Sequence, residues 1–553
     1  MKKFKMLSTA LAAGLALSFC AFGAAGCTRD QGEEVDPTRT QIFINYYNGG
    51  LGAEWITALK EAYEDEHPEI QIMPIPGKTT MDSGTVLNNF DTYDGDLFFM
   101  DYVGSADLNS FRNNGLIADI TEYVQAEDIA YDEGTQTIWD KVTPAVKDYY
   151  DMDGSVYALP WYQASYQIIY DIQLFEDYSY FKDAEGNWND GSSKSVGQDG
   201  EAGTYDDGLP ETYSDFFALM DKMVEDGLIP MTWFGSQAYY FTSMLTNLFA
   251  DYEGYNDFLL NYKLEGTDSD LGAVTLEDAY RLKNGQSGKR YALEFAQKIA
   301  TDSSYYSGNT FQTSQDNFTA QDEMLQSVEI SKDDPDRPRV AMLVDGPWWE
   351  REASATMNDM ATYYKNEYYA YGTREFGIMP MPEADDGSSA EGNTIACTSG
   401  RSLIFMNNSS EVKDEAADFL QFCMSEEGLR IATAKSGVMR PYEYTMTQEY
   451  LDQMTPFGRM VYDYNHSAEI VFEELPLHDF LETEGAAYCS YLFTWVSTED
   501  TLANVAQYFM LPENNPSVDA YISGLAIDAG EWTTAAEEYI FRTESAAETG
   551  SLS

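Results

Sequence analysis

The sequence predicts an α/β protein with more than one folded unit, and three observations support this prediction. At 553 residues the chain is too long for one ordinary hydrophobic core. Its hydrophobic content of 44% and aromatic content of 14% are typical of a globular protein. A strand, a helix and a second strand follow one another within the first folded segment, and this order is typical of a parallel sheet with a right-handed crossover.

The first unit is expected to contain three strands and a helix. QIFINYY at 41–47 is a short run of β-forming apolar residues, which favours a buried strand. A helical pattern with Trp55 on its apolar face follows, and it ends before Pro68 because the residue preceding a proline is disfavoured in helices. EIQIMPI at 69–75 alternates as a second strand, and GDLFFMD at 95–101 gives a third. Ligands of such sheets bind beyond the carboxyl ends of the strands, so the residues there are expected at a cleft.

Further strands and helices are predicted along the rest of the chain. GSVYALPWYQASYQIIYD at 154–171 combines two strands with a proline and an aromatic pair. After a polar, glycine-rich insert at 182–208, LPETYSDFFALMDKMVEDG predicts a helix capped by Thr212 or Ser214. RPRVAMLVDGPWWE and EFGIMPMPEADDG each join a strand to a turn, and a segment near residue 415 has apolar residues at helical spacing.

The charge of the chain argues against nucleic acid as a partner. The formal net charge is −62, from 32 basic and 94 acidic residues. Binding to phosphate backbones needs clustered lysine and arginine, which this sequence lacks. The acidic residues are expected to form a solvated surface that keeps the protein soluble.

The N-terminus has the features of a secretory lipoprotein signal. Three early lysines precede the apolar run MLSTALAAGLALSFCAFGAA, and AAGC then resembles a bacterial lipobox. Residues 1–26 are therefore expected to be a signal peptide, Cys27 the lipidated residue, and 27–40 a flexible tether. A transmembrane anchor is the alternative, but serine and glycine interrupt the apolar run. Two acyl chains suffice for stable attachment to a membrane.

Cysteine and histidine are too few for several kinds of site. Besides Cys27, the mature chain holds Cys397, Cys423 and Cys489, whose number and spacing fit neither a disulfide framework nor a zinc site. They are predicted to be small buried thiols. Only three histidines are present, so histidine-based catalysis or metal binding is poorly supplied.

The polar insert contains two glycine-spaced acidic segments that are similar to calcium-binding loops. The second of them places Asp199, Glu201, Asp206 and Asp207 where they could converge on one ion. Neither segment has the closing glutamate of an EF-hand, and an ordinary turn-rich insert is the alternative. A calcium ion here would be structural, and no other cofactor is expected.

Four motifs, in this order, resemble the extracellular solute-binding proteins of ABC importers, in the group that includes maltose- and oligosaccharide-binding proteins. They are LKEAYEDEHPEIQI, VYALPWYQASYQIIYD, RVAMLVDGPWWE and EAADFLQFCMSEEGLRIATAKSGVMRP. The matches span residues 41–445. In the second motif Asp171 replaces the asparagine that is usual in the family.

This resemblance implies a two-lobed, periplasmic-binding-protein-like α/β fold with a hinge and a cleft between the lobes. Lobe one would comprise residues 41–160 and 396–440, and lobe two residues 161–395 and 441–553. The chain would cross between the lobes near 160–163, 395–399 and 437–441. The lobes would rock together on a bound ligand.

The resemblance also implies that Trp348, after the Gly-Pro turn, stacks on a sugar ring. Sugar rings have apolar C–H faces and a hydroxyl perimeter, so they need aromatic platforms together with carboxylate or amide partners. About half of the candidates are expected to touch the ligand, because only one member of an adjacent pair on a strand faces the cleft. Trp349 is expected to be the core member of its pair. The candidate ligand-binding residues are Tyr46, Tyr47, Asn48, Asp101, Trp161, Tyr162, Gln163, Trp233, Gln237, Tyr239, Tyr240 and Trp348.

The predicted function is the capture of an oligosaccharide or a similar polar solute, without catalysis, and its delivery to an ABC permease. The protein would act as a monomer, lipid-anchored on the extracellular face of the bacterial membrane. One alternative is a secreted glycoside hydrolase, which also uses aromatic platforms and paired carboxylates. The other is a binder of peptides or charged sugars, although the segments expected to line the cleft lack the lysine or arginine that an anionic sugar needs.

Overall fold

A computed structural model describes residues 34–77, 83–93, 95–127, 131, 136–237, 239–310, 317–475, 477–483, 505–510, 517–525 and 527–549. The predicted signal peptide, Cys27 and Cys489 lie outside the described residues. Among the residues described, no helix is both long and apolar enough to cross a membrane.

Strands and helices alternate along much of the chain. The strands are β1 Thr40–Tyr46, β2 Ile70–Pro76, β3 Leu97–Phe99, β4 Asp151–Met152, β5 Ser155–Val156, β6 Leu159–Pro160, β7 Gln167–Asp171, β8 Phe181–Lys182, β9 Trp188–Asn189, β10 Ile229–Trp233, β11 Gly266–Asp268, β12 Gly272–Val274, β13 Val340–Asp345, β14 Phe376–Met379, β15 Thr394–Cys397, β16 Leu403–Met406 and β17 Glu469–Phe472. The helices are α1 Glu54–Glu66, α2 Ser83–Asn88, α3 Ser105–Asn113, α4 Thr121–Val124, α5 Ile138–Lys141, α6 Pro144–Tyr150, α7 Ile172–Tyr178, α8 Tyr213–Glu225, α9 Tyr239–Lys263, α10 Leu282–Gly285, α11 Ser287–Thr301, α12 Asn317–Asp333, α13 Trp349–Glu352, α14 Ser354–Tyr364, α15 Lys413–Cys423, α16 Glu426–Ser436, α17 Gln448–Leu451, α18 Pro456–Ser467, α19 Asp479–Thr483, α20 Val505–Met510, α21 Val518–Leu525 and α22 Ala529–Thr549. Short 3-10 turns occupy Phe90–Thr92, Leu276–Arg281 and Glu367–Tyr369.

The first sheet has the strand order β2-β1-β3-β16-β6. β1 pairs in parallel with β2 and with β3, which confirms the predicted strand–helix–strand unit. α1 buries Trp55, Ile56, Leu59 and Tyr63, the face that the sequence pattern predicts. β16 returns from late in the chain and runs antiparallel to β3 and β6. This sheet and its helices form lobe one.

The second sheet has the strand order β10-β13-β7-β14 and forms the centre of lobe two. β10 and β13 are parallel, and β7 runs antiparallel to both β13 and β14. All six residues of β13 are buried, because apolar side chains cover both faces of the sheet. The fold is therefore the two-lobed α/β architecture that the resemblance implies.

Three chain segments connect the two sheets, and they are hydrogen-bonded to one another. The backbone N–H of Gln163, after β6, donates to the carbonyl oxygen of Met439 at 2.9 Å. The N–H of Thr398, after β15, donates to the carbonyl of Ala164 at 3.0 Å. The N–H of Ala164 in turn donates to the Oγ of Ser399 at 2.8 Å. The three segments thus run side by side, while the residue boundaries of the lobes stay a prediction.

Local sequence signals explain several helix ends. Thr212 caps α8, because its side chain accepts a hydrogen bond from the N–H of Asp215 at 3.3 Å. The late segment that the sequence presents as one helix is two helices, α15 and α16. Ser425 separates them, and its side chain accepts from the N–H of Gly428 to start α16. A Cβ at Gly428 would overlap the carbonyl of Phe422, so only glycine allows this close approach.

Two of the cysteines that were predicted to be buried, and Asp171, are fully enclosed. Cys397 and Cys423 are buried free cysteines, as predicted. Asp171 is 0% exposed and lies at the end of β7. Its Oδ2 pairs with Arg374 Nη2 at 2.5 Å and with Arg339 Nη2 at 2.7 Å, and its other oxygen caps α7. A carboxylate at this position therefore forms ion pairs with two arginines, which an asparagine could not do.

Candidate ligand-binding cleft

Strands from both lobes end at the same cleft. In lobe one, β1 leads into Tyr47 and β3 leads towards Asp101. In lobe two, β13 ends at Asp345 and turns through Gly346 and Pro347 to Trp348. The two sides touch: the Trp348 ring packs so closely on Gly50 that a Cβ there would lie 2.6 Å from its Cδ1. This contact places the Gly-Pro-Trp turn opposite the end of β1.

An aromatic cluster forms the lobe-two side of the cleft. It consists of Tyr166, Phe234, Tyr240 and Trp348. The Tyr166 ring lies edge-on to Trp348 at 5.4 Å and 4.8 Å from Tyr240, measured between ring centroids. Tyr239 adds a further ring, 5.7 Å from Tyr166, and is 42% exposed. Tyr239 and the partly exposed Trp348 present the flat apolar surface that a pyranose face requires, and the buried rings of Tyr166, Phe234 and Tyr240 pack behind them.

The turn that carries Trp348 is shaped by its glycine. The N–H of Gly346 donates to the Oδ1 of Asp345 at 2.7 Å, which tightens the turn. The Trp348 ring folds back over Gly346, where any Cβ would overlap it. Glycine is therefore required at position 346 for the ring to lie across the cleft.

The lobe-one side combines phenols with a partly buried carboxylate. Tyr162 donates a hydrogen bond from its hydroxyl to Asp101 Oδ1, and Ser402 Oγ donates to the same oxygen at 3.3 Å. Burial raises the pKa of Asp101, and these two donors oppose the rise. Burial also raises the pKa of Tyr47, and the charges of Asp101, Tyr239 and Glu352 add to the effect. Tyr47 thus faces groups of both lobes.

A pair of carboxylates lies on the lobe-two side. Gln321 Nε2 donates to Asp345 Oδ2 at 3.0 Å and to Glu352 Oε2 at 2.9 Å. Burial, followed by the charge of Glu352, raises the pKa of Asp345 to about 8. Asp345 is 1% exposed, whereas Glu352 is partly exposed, and its charge also acts on Tyr47, Tyr239 and Tyr240. Glu352 is therefore the member of the pair that a ligand can reach.

Three of the candidate residues are core residues, in contrast to the prediction. Trp161 is 1% exposed, and its Nε1 donates to the carbonyl of Met100 at 2.6 Å. Trp233 is 0% exposed and lies 4.6 Å from Phe241 between ring centroids. Tyr46 is 3% exposed and lies edge-on to Trp55. Each belongs to the inward-facing set of its strand or extended segment, so the neighbouring residue faces the cleft.

The amide candidates have different surroundings. Gln163 lies in the connecting segments, where its Nε2 donates to Asn465 Oδ1 at 2.8 Å. Gln237 is exposed in the loop before α9, and its carbonyl accepts from the N–H of Tyr240. Asn48 follows Tyr47, and its Oδ1 is buried without a hydrogen-bond partner among the described residues. The structure thus brings together Tyr47, Asn48, Asp101, Tyr162, Tyr239, Tyr240 and Trp348. Trp349 is 0% exposed and packs against Phe376, as expected of the core member of its pair.

The acidic residues of the insert are engaged in turns. Asp206 Oδ2 accepts from the N–H of Asp199, and Asp207 Oδ2 accepts from the N–H of Gly203. Asp199 Oδ1 accepts from the N–H of Glu201. In the described part of the chain, the carboxylates that converge within 4.8 Å are instead Glu253, Asp257 and Asp268. Calcium at Asp199, Glu201, Asp206 and Asp207 stays a prediction.

Sequence reasoning missed four residues of the site. Tyr166 and Asp345 both lie within the motifs that carry the resemblance, and their positions at strand ends were a usable signal. Glu352 lies one helical turn beyond Trp348, within reach of the cleft. Gln321 gave no signal, because it comes from a helix that precedes β13 and meets the cleft only through the fold.

Several solved structures share this architecture. The chain is similar to RafE of Streptococcus pneumoniae in complex with raffinose (14% identity, 88% of this chain and 99% of that chain, TM-score 0.51). It is similar to GacH of Streptomyces glaucescens, which was solved unliganded and with acarbose (14% identity, 90% of this chain and 99% of that chain, TM-score 0.51). It is also similar to a protein from work on xylan utilization by Caldanaerobius polysaccharolyticus (13% identity, 88% of this chain and 99% of that chain, TM-score 0.52). At these identities the similarity establishes the fold.

The sequence itself gives the family. No curated protein matches the chain. Residues 49–429 match the family described as bacterial extracellular solute-binding protein, and this range contains strands of both sheets and the Gly-Pro-Trp turn. The chain therefore belongs to the bacterial extracellular solute-binding proteins.

Proposed function

We propose that this protein is the substrate-binding component of an ABC importer, which captures an oligosaccharide between its lobes and delivers it to a permease. The observation that carries the proposal is the aromatic cluster at the mouth of lobe two, with Trp348 packed on Gly50 of lobe one. A solute between the lobes would meet this cluster on one side and Tyr47 on the other.

The chemistry of the cleft supports a saccharide ligand. Tyrosine and tryptophan rings provide apolar platforms for the C–H faces of a pyranose. Asp101, Asp345 and Glu352 provide acceptors for its hydroxyl hydrogens, and the tyrosine hydroxyls can both donate and accept. This combination suits a polyhydroxylated ring better than a purely apolar compound.

The ligands of similar proteins support the same class. The structural relatives include complexes with raffinose and with acarbose, and a chitin oligosaccharide binding protein (12% identity, TM-score 0.51). Their names describe binding proteins, which favours capture without catalysis for this chain. The three hydrogen-bonded connecting segments support a hinge, about which the lobes close on the ligand.

A saccharide screen tests the proposal. The mature protein would be mixed with mono- and oligosaccharides, its thermal midpoint recorded, and the sugars analysed afterwards for cleavage. A specific ligand is expected to raise the midpoint by mass action and to be recovered intact. Release of shorter sugars would instead indicate a glycoside hydrolase, and the absence of any shift across the screen would contradict the saccharide class.

The cellular context completes the proposal. Lipidation at Cys27 would anchor the protein to the extracellular face of the membrane, and the residues between Cys27 and the turn that precedes β1 would form the tether to lobe one. From there the monomer would reach the permease subunits. Co-purification of the transporter with the ligand-loaded protein, and not with the ligand-free protein, is the expected result.

A further inference from the structure

The cleft is rich in negative charge and lacks a paired cation. In the part of the chain that the structure describes, neither Asp101, Asp345 nor Glu352 forms an ion pair with lysine or arginine. The nearest cation in sequence, Arg351, pairs with Glu54 at 3.1 Å and donates to the carbonyl of Lys435. Among the described residues, these three acidic side chains are therefore not paired with a cation.

The carboxylates of lobe two share one neutral donor. A single nitrogen, Gln321 Nε2, donates to both Asp345 and Glu352, at 3.0 and 2.9 Å. Asp345 also accepts from the N–H of Gly346 at 2.7 Å, and its raised pKa of about 8 keeps it largely protonated at neutral pH. Glu352 therefore carries the negative charge of the pair, and a neutral amide does not offset that charge. The pair is thus one positive charge short of balance.

Two buried carbonyl oxygens at the same place also lack donors. Gln321 is 1% exposed, and its Oε1, on the amide that holds both carboxylates, has no hydrogen-bond partner among the described residues. Gln167 lies opposite Asp345 in the β7–β13 register and is 4% exposed, and its Oε1 is likewise unpartnered. Buried polar atoms are rarely left without partners, so these oxygens indicate that a donor-rich group completes the site.

A protonated amine fits this arrangement better than a hydroxyl does. An ammonium group has three N–H donors and no acceptor, so it matches the unpartnered oxygens of Gln167 and Gln321 and the carboxylate of Glu352. Its charge offsets that of Glu352, and the aromatic faces beside it attract cations. The phenols of Tyr47, Tyr239 and Tyr240 all lie close enough to Glu352 for its charge to act on them.

We propose that the site formed by Gln167, Gln321, Asp345 and Glu352 receives the ammonium group of an amino sugar, so that the preferred ligand is a saccharide with a free amine. This inference rests on the proposed function, because the remaining rings of the ligand would occupy the aromatic cluster. Glu352 makes the contact that a ligand can reach first, and the buried Asp345 and the two amides hold it in place.

Three trisaccharides with the same β-1,4 backbone separate the possibilities by titration calorimetry. They are the glucosamine trimer, the N-acetylglucosamine trimer and the glucose trimer. The glucosamine trimer is expected to bind about tenfold more tightly than either of the others, in line with one desolvated charge contact. Glu352→Gln is expected to remove this preference. The control Asp359→Asn, which removes an exposed charge seven residues along the chain, is expected to retain it.

A second readout uses the unaltered protein. Added sodium chloride is expected to weaken binding of the glucosamine trimer and to leave the glucose trimer almost unaffected, because salt screens charge and not stacking. Equal or tighter binding of the neutral trimers, or a preference that survives Glu352→Gln, would overturn the inference and leave the proposed function intact. Calcium chloride alone is a further probe. If it gives a binding heat that Glu352→Gln abolishes, and the glucosamine trimer gives none, the site binds a metal cation and the inference is overturned. Failure of every saccharide would contradict the proposed function itself.

Discussion

The indole of Trp348 rests on the backbone of Gly50, so that the turn after β13 in lobe two touches the loop after β1 in lobe one. Position 50 has no room for a side chain, since a Cβ would lie 2.6 Å from Cδ1 and 2.9 Å from Cγ of the ring. The approach of the two lobes therefore depends on a glycine at this point.

Gly50→Ala is expected to hold the lobes apart. The added methyl overlaps the Trp348 ring, and relief of such overpacking costs about 1–3 kcal/mol, which opposes closure. Saccharide affinity should fall, and small-angle scattering should report a larger radius of gyration with ligand present. Gly308→Ala is the matched control, because a Cβ there meets nothing within 4 Å. Equal affinities for the two variants would contradict the role of this contact.

Alanine substitutions of the adjacent Trp348 and Trp349 are expected to have different effects, the first on saccharide binding and the second on stability. Trp348→Ala is expected to weaken saccharide binding by about 1–3 kcal/mol while the thermal midpoint changes little, because the ring is a partly exposed anchor. Trp349→Ala is expected to cost about 3–5 kcal/mol of unfolding free energy, because that ring is 0% exposed and lies against Phe376 and Phe457. Calorimetric titration and thermal unfolding distinguish the two. A loss of binding below a few tenths of a kcal/mol for Trp348→Ala would refute its role as a platform.

Stability is expected to fall as the pH rises from about 4 to about 8. Burial raises the pKa of Asp345 to about 8 and that of Glu350 to about 7, whereas both groups titrate near 4 in an unfolded chain. Within this window the folded state binds more protons than the unfolded state, so each unit of pH costs stability. The thermal midpoint should therefore be higher at pH 5 than at pH 8, and Asp345→Asn should reduce the difference. A midpoint that increases over this range would rule the explanation out.

Asp171 is expected to be a major determinant of stability in lobe two. Although burial alone would raise its pKa, Arg374 and Arg339 hold that pKa below the ordinary value. Asp171→Asn keeps the shape and removes the charge, which leaves two guanidinium groups without their carboxylate at a cost of about 3–5 kcal/mol. Chemical denaturation measures this loss. Asp177→Asn, an exposed residue of the following helix, is the control and should have little effect.

Lipidation can be tested on Cys27 directly. Cys27→Ser is expected to release the protein from the membrane fraction into the medium and to abolish the incorporation of labelled palmitate. Cys20→Ser keeps the predicted lipobox and should leave both unchanged. Labelling that is lost with Cys20→Ser instead would place the modification at the other cysteine.

The first strand–helix–strand unit could be predicted from local patterns, whereas the two-lobed arrangement was implied by the resemblance to solute-binding proteins. The parallel pairing of β1 with β2 follows from a strand, a helix and a strand in close succession, and Thr212 caps α8 through its own side chain. It was harder to predict which individual aromatic side chains face the cleft and which face the core. Trp161 and Tyr162 are neighbours of the same chemical class and both are buried. Trp161 packs on Trp55 and hydrogen-bonds the carbonyl of Met100, and this tertiary contact leaves Tyr162 to reach Asp101.

The acidic pair shows the limit of such reasoning most clearly. Asp345 and Glu352 are joined by Gln321, which lies on α12, well before both of them in the sequence. A contact of this kind depends on how the helix is docked against the sheet, and no spacing within one segment encodes it. Residues that meet through tertiary packing are therefore the part of the site that the sequence left undetermined.

The connecting segments have a consequence for how the molecule moves. Backbone hydrogen bonds join Gln163 to Met439 and Ala164 to Thr398. A change in the backbone of one segment therefore moves the other two. The three connecting segments are therefore expected to act as one hinge, and the lobes are expected to rotate about a single axis. A pair of fluorophores across the rim would then follow this motion through a single distance, which is expected to shorten when the ligand binds.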